Sequence, residues 1–270
     1  MHKISNTPES ETRTSAPVAV FTALAWEGAA VRAVLRQVRR EGERIWRGST
    51  GEHEVVVVTG GIGPRRTRRT LEQFTDMPFT AVLSVGCAGA LTLGLTTGQL
   101  ILAPEVRMWS VEGEARLERF PVNPDLLAHT RTAATQATVP VVEGSLFTSA
   151  KVLFTPEDKA EQGRATGAIA VEMESGVYAA FAAARELPFL ALRVILDPVS
   201  MALPTLKGLM TPEGDIRFFR TVPYVITHPH HLPFFLELNR ARAIAARAIS
   251  NLCHALFPLL TDQRSISRRE

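Results

Sequence analysis

Residues 168–197 read AIAVEMESGVYAAFAAARELPFLALRVILD, and no other stretch narrows the choice of folds as much. An apolar, branched run (Ala168 to Val171) leads into Glu172-Met173-Glu174, and an alanine-rich segment of helical character follows. A second apolar run, Phe189 to Leu196, ends on Asp197. By period this is strand, helix, strand, with acids at the carboxyl end of each strand. In an open α/β sheet those ends form the rim where ligands bind. Carboxylates are costly to bury there unless they serve a partner.

The rest of the chain repeats the alternation. Pro17 to Leu24 predicts a strand that runs into Glu27, and Gly28 to Arg40 carries apolar residues at helical spacing (Val31, Val34, Leu35, Val38). His53 to Thr59 predicts a strand opening on the turn Gly60-Gly61-Ile62-Gly63, and a helix from Pro64 to Phe74 follows. Ala81 to Val85 predicts a strand opening on a second small-residue turn, Gly86-Cys87-Ala88-Gly89-Ala90-Leu91. Further strands are expected at Gln99 to Ala103 and Val139 to Phe147. Helices are expected at Pro124 to Ala137, capped by Asn123, at Pro156 to Arg164, and at Leu236 to Leu256. This predicts one α/β domain over residues 17–260. Residues 1–16 read as a disordered tail, 261–270 as a polar tail, and 198–235 as an apolar, proline-rich insertion of the kind that tends to be functional.

Several function classes fall away. The pI near 9.2 hides a formal charge of only +3, and the basic residues sit on predicted helix faces without aromatic interleaving, so no nucleic-acid partner is expected. A weak attraction to anionic membrane surfaces stays open. Cys87 and Cys253 lie in unrelated contexts, and the polar start lacks an apolar core, which fits a reducing, cytoplasmic setting with or without contact to the inner membrane. His228, His230 and His231 form an H-x-H-H cluster without acidic or thiol partners, so no metal is expected. Neither glycine turn matches a dinucleotide or P-loop fingerprint, and no serine sits in a nucleophile elbow. Cys87 reads as a small wall residue rather than a thiol nucleophile. What remains is the set of carboxylates Glu27, Glu172, Glu174 and Asp197, each near a predicted strand end. For Glu172, ion pairing to an arginine is an equally good account.

The strand ending at Glu27, VVVVTGGIGP, SVGCAGALTLGLTTGQLILA, and above all AVEMES followed by LPFLALRVILD resemble the purine nucleoside phosphorylase / methylthioadenosine-adenosylhomocysteine nucleosidase superfamily. The segment RVILDPVSMALPTLKGLMTPEGDI and the later HPHHLPFFLELNRA look most like its hopanoid-associated phosphorylase group. The resemblance implies a single α/β domain around a central mixed sheet flanked by helices, assembled as a homodimer or larger homo-oligomer. It implies cleavage of the N-glycosidic bond of a 5′-modified adenosine, adenosylhopane among the candidates, with release of adenine. A non-catalytic nucleoside-binding protein is the competing class.

By position, the resemblance makes Asp197 the acid at purine N7, Glu174 the ribose ligand, Met173 the floor under the sugar and Glu27 the group that orients water. Phe147 would stack on the base, Cys87, Ala88 and Gly89 would line the pocket, and Glu172 would count with them among the substrate-binding residues. Such chemistry asks for these types, because a departing purine leaves an oxocarbenium-like sugar that wants an acid on the leaving group and negative charge near the ribose. Two departures stand out: Leu196 replaces the family's serine before the acid, and Cys87 replaces a serine of the nucleosidases. Arg65 and Arg66, beside Gly61 and Gly63, offer an anion site, so inorganic phosphate as co-substrate and water as acceptor both stay open, and no other cofactor is implied.

Overall fold

The computed structural model describes residues 16–51, 53–110, 116–201 and 232–260. The strand-forming runs of the sequence become the middle of one mixed sheet. β1 (Val18–Thr22) lies parallel between β4 (His53–Thr59) and β5 (Ala81–Ala90), with Val20 opposite Val57 on one side and Leu83 on the other. These strands are covered on both faces, which is why they read as continuous apolar runs rather than alternating ones. β12 (Phe189–Asp197) runs parallel along the other edge of β5, and its register shifts between Ile195 and Asp197 so that Asp197 stands opposite Gly89.

β5 outlasts β1. Its final residues, Gly89 and Ala90, pair antiparallel with β11 (Ala170–Glu172), which makes the sheet mixed and brings the end of the VEMES strand beside the first glycine-containing strands. β11 continues to β10 (Leu146–Thr148), β7 (Glu105–Trp109) and β8 (Leu117–Pro121), while β12 also pairs with β6 (Leu100–Leu102), which pairs with β9 (Val141–Glu143). At the opposite edge lie β3 (Ile45–Thr50) and β2 (Arg36–Arg40). The flanking helices are α1 (Ala25–Arg32), α2 (Pro64–Leu71), α3 (Pro124–Gln136), α4 (Pro156–Thr166), α5 (Ser175–Ala184) and α6 (Leu232–Leu259). The architecture is a single α/β domain with a central mixed sheet flanked by helices. α6 closes it by burying Ala241, Ala245, Ala248, Ile249, Leu252 and Leu256 on the face toward α1, α3 and β12.

Four expectations need correction. The helix expected to reach Arg40 ends at Arg32; residues 36–40 form an exposed edge strand with a bulge between Arg36 and Arg39, and Gln37 sits at φ 51°. Arginines on an edge strand discourage further pairing, and their alternation with Val38 imitates a helical stripe. The strand expected over Val139 to Phe147 is two strands with different neighbours, broken at Gly144, where a Cβ would come within 2.5 Å of Ile169 Cδ1. The segment GCAGA is not a turn but the second half of β5. Asn123 does cap α3, accepting from the amides of Asp125 and Leu126, but the last helix starts at Leu232 and takes Phe234 and Phe235 from the expected insertion. The tail 1–15, residues 202–231 of the insertion with its histidine cluster, and the tail 261–270 lie outside the described residues.

Candidate active site

Glu27 enters the interior because α1 begins directly after β1. It occupies the third helical position, 1% exposed, and its side chain folds back so that Oε2 accepts from the amides of Ala23 (3.0 Å) and Leu24 (2.8 Å). Oε1 accepts from the Cys87 amide at 2.9 Å, so this one carboxylate joins the end of β1 to β5. Gly86 makes the approach possible: a Cβ there would lie 2.7 Å from Glu27 Oε1 and 2.3 Å from Arg193 Nη1. The Cys87 thiol is pushed well up by burial and then by the Glu27 charge, which keeps it protonated and fits a wall residue rather than a nucleophile.

β11 and β12 supply the second cluster. Glu172 ends β11, and its Oε2 accepts from the amides of Glu174 (3.0 Å) and Ser175 (2.7 Å), tying down the first turn of α5. The same oxygen accepts from Arg193 Nη2 at 2.7 Å, and Thr148 donates to Oε1. Ion pairing therefore accounts for Glu172. Arg193, 1% exposed, also donates to Ser84 and Ser175. Glu174 lies 3.8 Å from that guanidinium and accepts from the Gly63 amide at 2.8 Å. Burial first, then the Glu172 charge, pushes the Glu174 carboxyl up to about 8, against the pull of Arg193 and the Gly63 amide. Arg193 is the cation that holds this acidic cluster together, a pairing that the sequence alone does not assign. Its signal was present: it is the single charge inside FLALRVIL, a run buried on both faces.

Asp197 ends β12 at 8% exposure, and its carboxylate lies against Gly89, where a Cβ would stand 2.9 Å from Oδ2. The glycines at 86 and 89, expected to shape a turn, thus leave room for acids at ordinary strand geometry. Oδ2 accepts from Lys159 Nζ at 2.6 Å. Lys159 projects from α4 and is 1% exposed. Nothing in the polar run PEDKAEQGR distinguishes it from its solvated neighbours.

Glu27, Glu174, Asp197, Met173 and the Cys87-Ala88-Gly89 segment meet around one cavity of about 150 Å³, with Glu172 and Lys159 in its wall. Ile62 and Met173 also line a neighbouring cavity of about 730 Å³, whose other walls include Arg65, Arg66, Arg68, Arg69, Met108 and Trp109. Phe147 is not brought to either cavity; it packs with Leu91 and Ala168 in a small apolar cluster, 2% exposed. The GGIG turn is also less open to an anion than its composition suggests. The Gly60 and Gly61 amides donate to the carbonyls of Thr22 and Ala23, and the Gly63 amide donates to Glu174. Gly61 and Gly63 are required at φ 84° and 94°, and Arg65 and Arg66 reach the larger cavity. Among the described residues, no group of three or more His, Cys, Asp or Glu is placed to hold a metal.

The same architecture occurs in solved structures. A 5′-methylthioadenosine/S-adenosylhomocysteine nucleosidase from Neisseria meningitidis, in complex with methylthio-immucillin-A, superposes with a TM-score of 0.65 at 22% identity, covering 89% of this chain and 99% of that one. The nucleosidase of the same name from Colwellia psychrerythraea 34H, in complex with adenine, gives 0.65 at 21% identity over 90% and 96%. A futalosine hydrolase mutant of Helicobacter pylori strain 26695 gives 0.65 at 17% identity over 88% and 98%. Likeness at this identity carries the fold. No functionally curated protein matches the chain. A family model described as the phosphorylase superfamily matches residues 17–206, and on that match the chain belongs to the phosphorylase superfamily.

Proposed function

We propose that this protein releases adenine from a 5′-modified adenosine by hydrolysis of the N-glycosidic bond. The observation that carries the proposal is the convergence of Glu27, Glu174 and Asp197 on one cavity that continues past Met173 into a larger one. In this reading the purine lies against Cys87-Ala88-Gly89 with N7 toward Asp197. Asp197 gives N7 a proton as the C1′–N9 bond breaks, and the bond's electron pair leaves with the base. Glu174 accepts hydrogen bonds from the ribose hydroxyls, and these strengthen as positive charge grows on the sugar. Glu27 uses three of about four acceptor sites on backbone amides and keeps one for the attacking water. The fold relatives named nucleosidase and hydrolase support the class of reaction.

Phosphorolysis is the second reading, favoured by the arginines of the larger cavity. Water is preferred because the three glycine amides of the GGIG turn already have protein partners. The 5′ substituent would occupy the larger cavity, where apolar Met108 and Trp109 face the arginines, and the sequence likeness to the hopanoid-associated group makes adenosylhopane the lipid candidate. Association into a homodimer and contact with a membrane surface belong to the same proposal; among the described residues no helix is long and apolar enough to cross a membrane.

Adenine release from methylthioadenosine, adenosylhomocysteine and adenosylhopane, each with and without phosphate, tests the proposal. Expected is phosphate-independent release that Glu27→Gln lowers by about 10²-fold or more. Strictly phosphate-dependent release refutes the hydrolytic reading, and tight nucleoside binding with no release in either buffer makes the chain a binding protein.

A further inference from the structure

The proposed chemistry gives no part to the buried Lys159. Lys159 is 1% exposed, and burying an ammonium is expensive unless all its donors are satisfied. Its donors are satisfied: Nζ reaches Asp197 Oδ2 at 2.6 Å, Pro198 O at 3.2 Å and Met201 O at 2.9 Å. Two of the three acceptors are backbone carbonyls just beyond the strand that carries Asp197, so Lys159 fixes both the carboxyl and the chain leaving it. Among the described residues no hydrogen bond is made to Asp197 Oδ1. Lys159 and Asp197 line the same cavity, which a purely structural ion pair has no reason to do. Residue 196, where the family resemblance leads one to expect a hydroxyl beside the acid, is leucine and offers only its carbonyl, which accepts from Thr97.

We propose that Lys159 is the positioning residue for Asp197, replacing the missing hydroxyl with an ammonium that holds Oδ2 and leaves Oδ1 for the purine. This rests on the proposed N-glycosidic cleavage. As C1′–N9 breaks, a proton passes from Oδ1 to N7 and the bond's electron pair leaves with the base; the carboxylate left behind is met at once by the Lys159 charge. Lys159 loses no proton itself. Its effect falls on the step that generates the carboxylate rather than on the binding of the base, because a buried charge of opposite sign matters most where charge develops.

The test compares kcat, KM and adenine affinity in the full chain for Lys159→Ala and Lys159→Gln, with added ethylamine as a chemical rescue of the alanine variant. Expected is a fall in kcat of about 10²-fold with KM and adenine affinity changed less than about fivefold, and partial recovery of kcat by ethylammonium but not by ethanol. Wild-type kcat in both variants overturns the inference, as does a parallel loss of kcat and adenine affinity without amine rescue. If alanine does not fold, the kcat-against-KM split in the glutamine variant decides alone, because glutamine keeps a donor and removes the charge. Wild-type protein that releases no adenine sinks the proposed function instead, and the wild-type control tells the two failures apart.

Discussion

Replacing Glu174 with glutamine isolates a pH dependence that the structure assigns to one carboxyl. In the folded chain burial and the neighbouring Glu172 charge hold Glu174 up to about 8, against an ordinary value of 4.5. Between these values the folded state keeps a proton that the unfolded state has lost, so raising the pH favours unfolding. The sign is opposite to that of a salt-bridged carboxylate. The contribution of this one group is greatest below about pH 4.5, falls across the neutral range, and levels off above about pH 8. At about 1.4 kcal/mol per decade, the full displacement corresponds to on the order of 5 kcal/mol. Glutamine cannot ionise, and its carbonyl still accepts from the Gly63 amide. Urea denaturation of both proteins from pH 4 to 9 should show the variant gaining on the wild type as pH rises. At pH 8 the gap should reach several kcal/mol, or roughly 10 °C in Tm for a chain of this size. At pH 4 it should shrink to the small difference in contacts. Parallel pH profiles for the two proteins would refute the reasoning.

Other substitutions separate the roles of the remaining groups. Asp197→Asn keeps an acceptor for Lys159 but has no proton to give, so adenine release should fall by about 10²-fold or more while adenine binding, measured by calorimetry, is retained. Gly89→Ala places a Cβ 2.9 Å from Asp197 Oδ2; the flexible end of Asp197 yields, so kcat should drop much further than Tm. Arg193→Leu strands the buried Glu172 carboxylate without its cation and should cost about 3–5 kcal/mol in urea denaturation at neutral pH, with partial recovery when Glu172 is changed to glutamine as well.

How much was legible in the sequence differs from residue to residue. The apolar runs at β1, β4, β5 and β12 announced themselves because strands buried on both faces tolerate almost nothing else. Glu27, Glu174 and Asp197 were visible because each interrupts or ends such a run, and the structure places them around one cavity. Residues 36–40 were misread because an edge strand has one free side and little burial, so its pattern carries weak information. Phe147 matched a family position but sits in a short strand whose neighbours draw it into a separate apolar cluster. The amides of the GGIG turn looked available because sequence cannot show which carbonyl or carboxylate lies opposite them.

The local order of strand, helix and acid follows from the sequence alone, since periodicity and apolar runs are properties of neighbouring residues. The pairing of charges does not. Arg193 meets Glu172 across 21 positions, and Lys159 meets Asp197 across 38, because the register of β5, β11 and β12 and the seat of α4 bring them within 3 Å. The roles of the two glycines at 86 and 89 were decided in the same way. Each is small not to turn the chain but to admit a carboxylate from an element distant in sequence. Composition put acids at the strand ends, and only tertiary packing determined which of them are neutralised and which face the cavity.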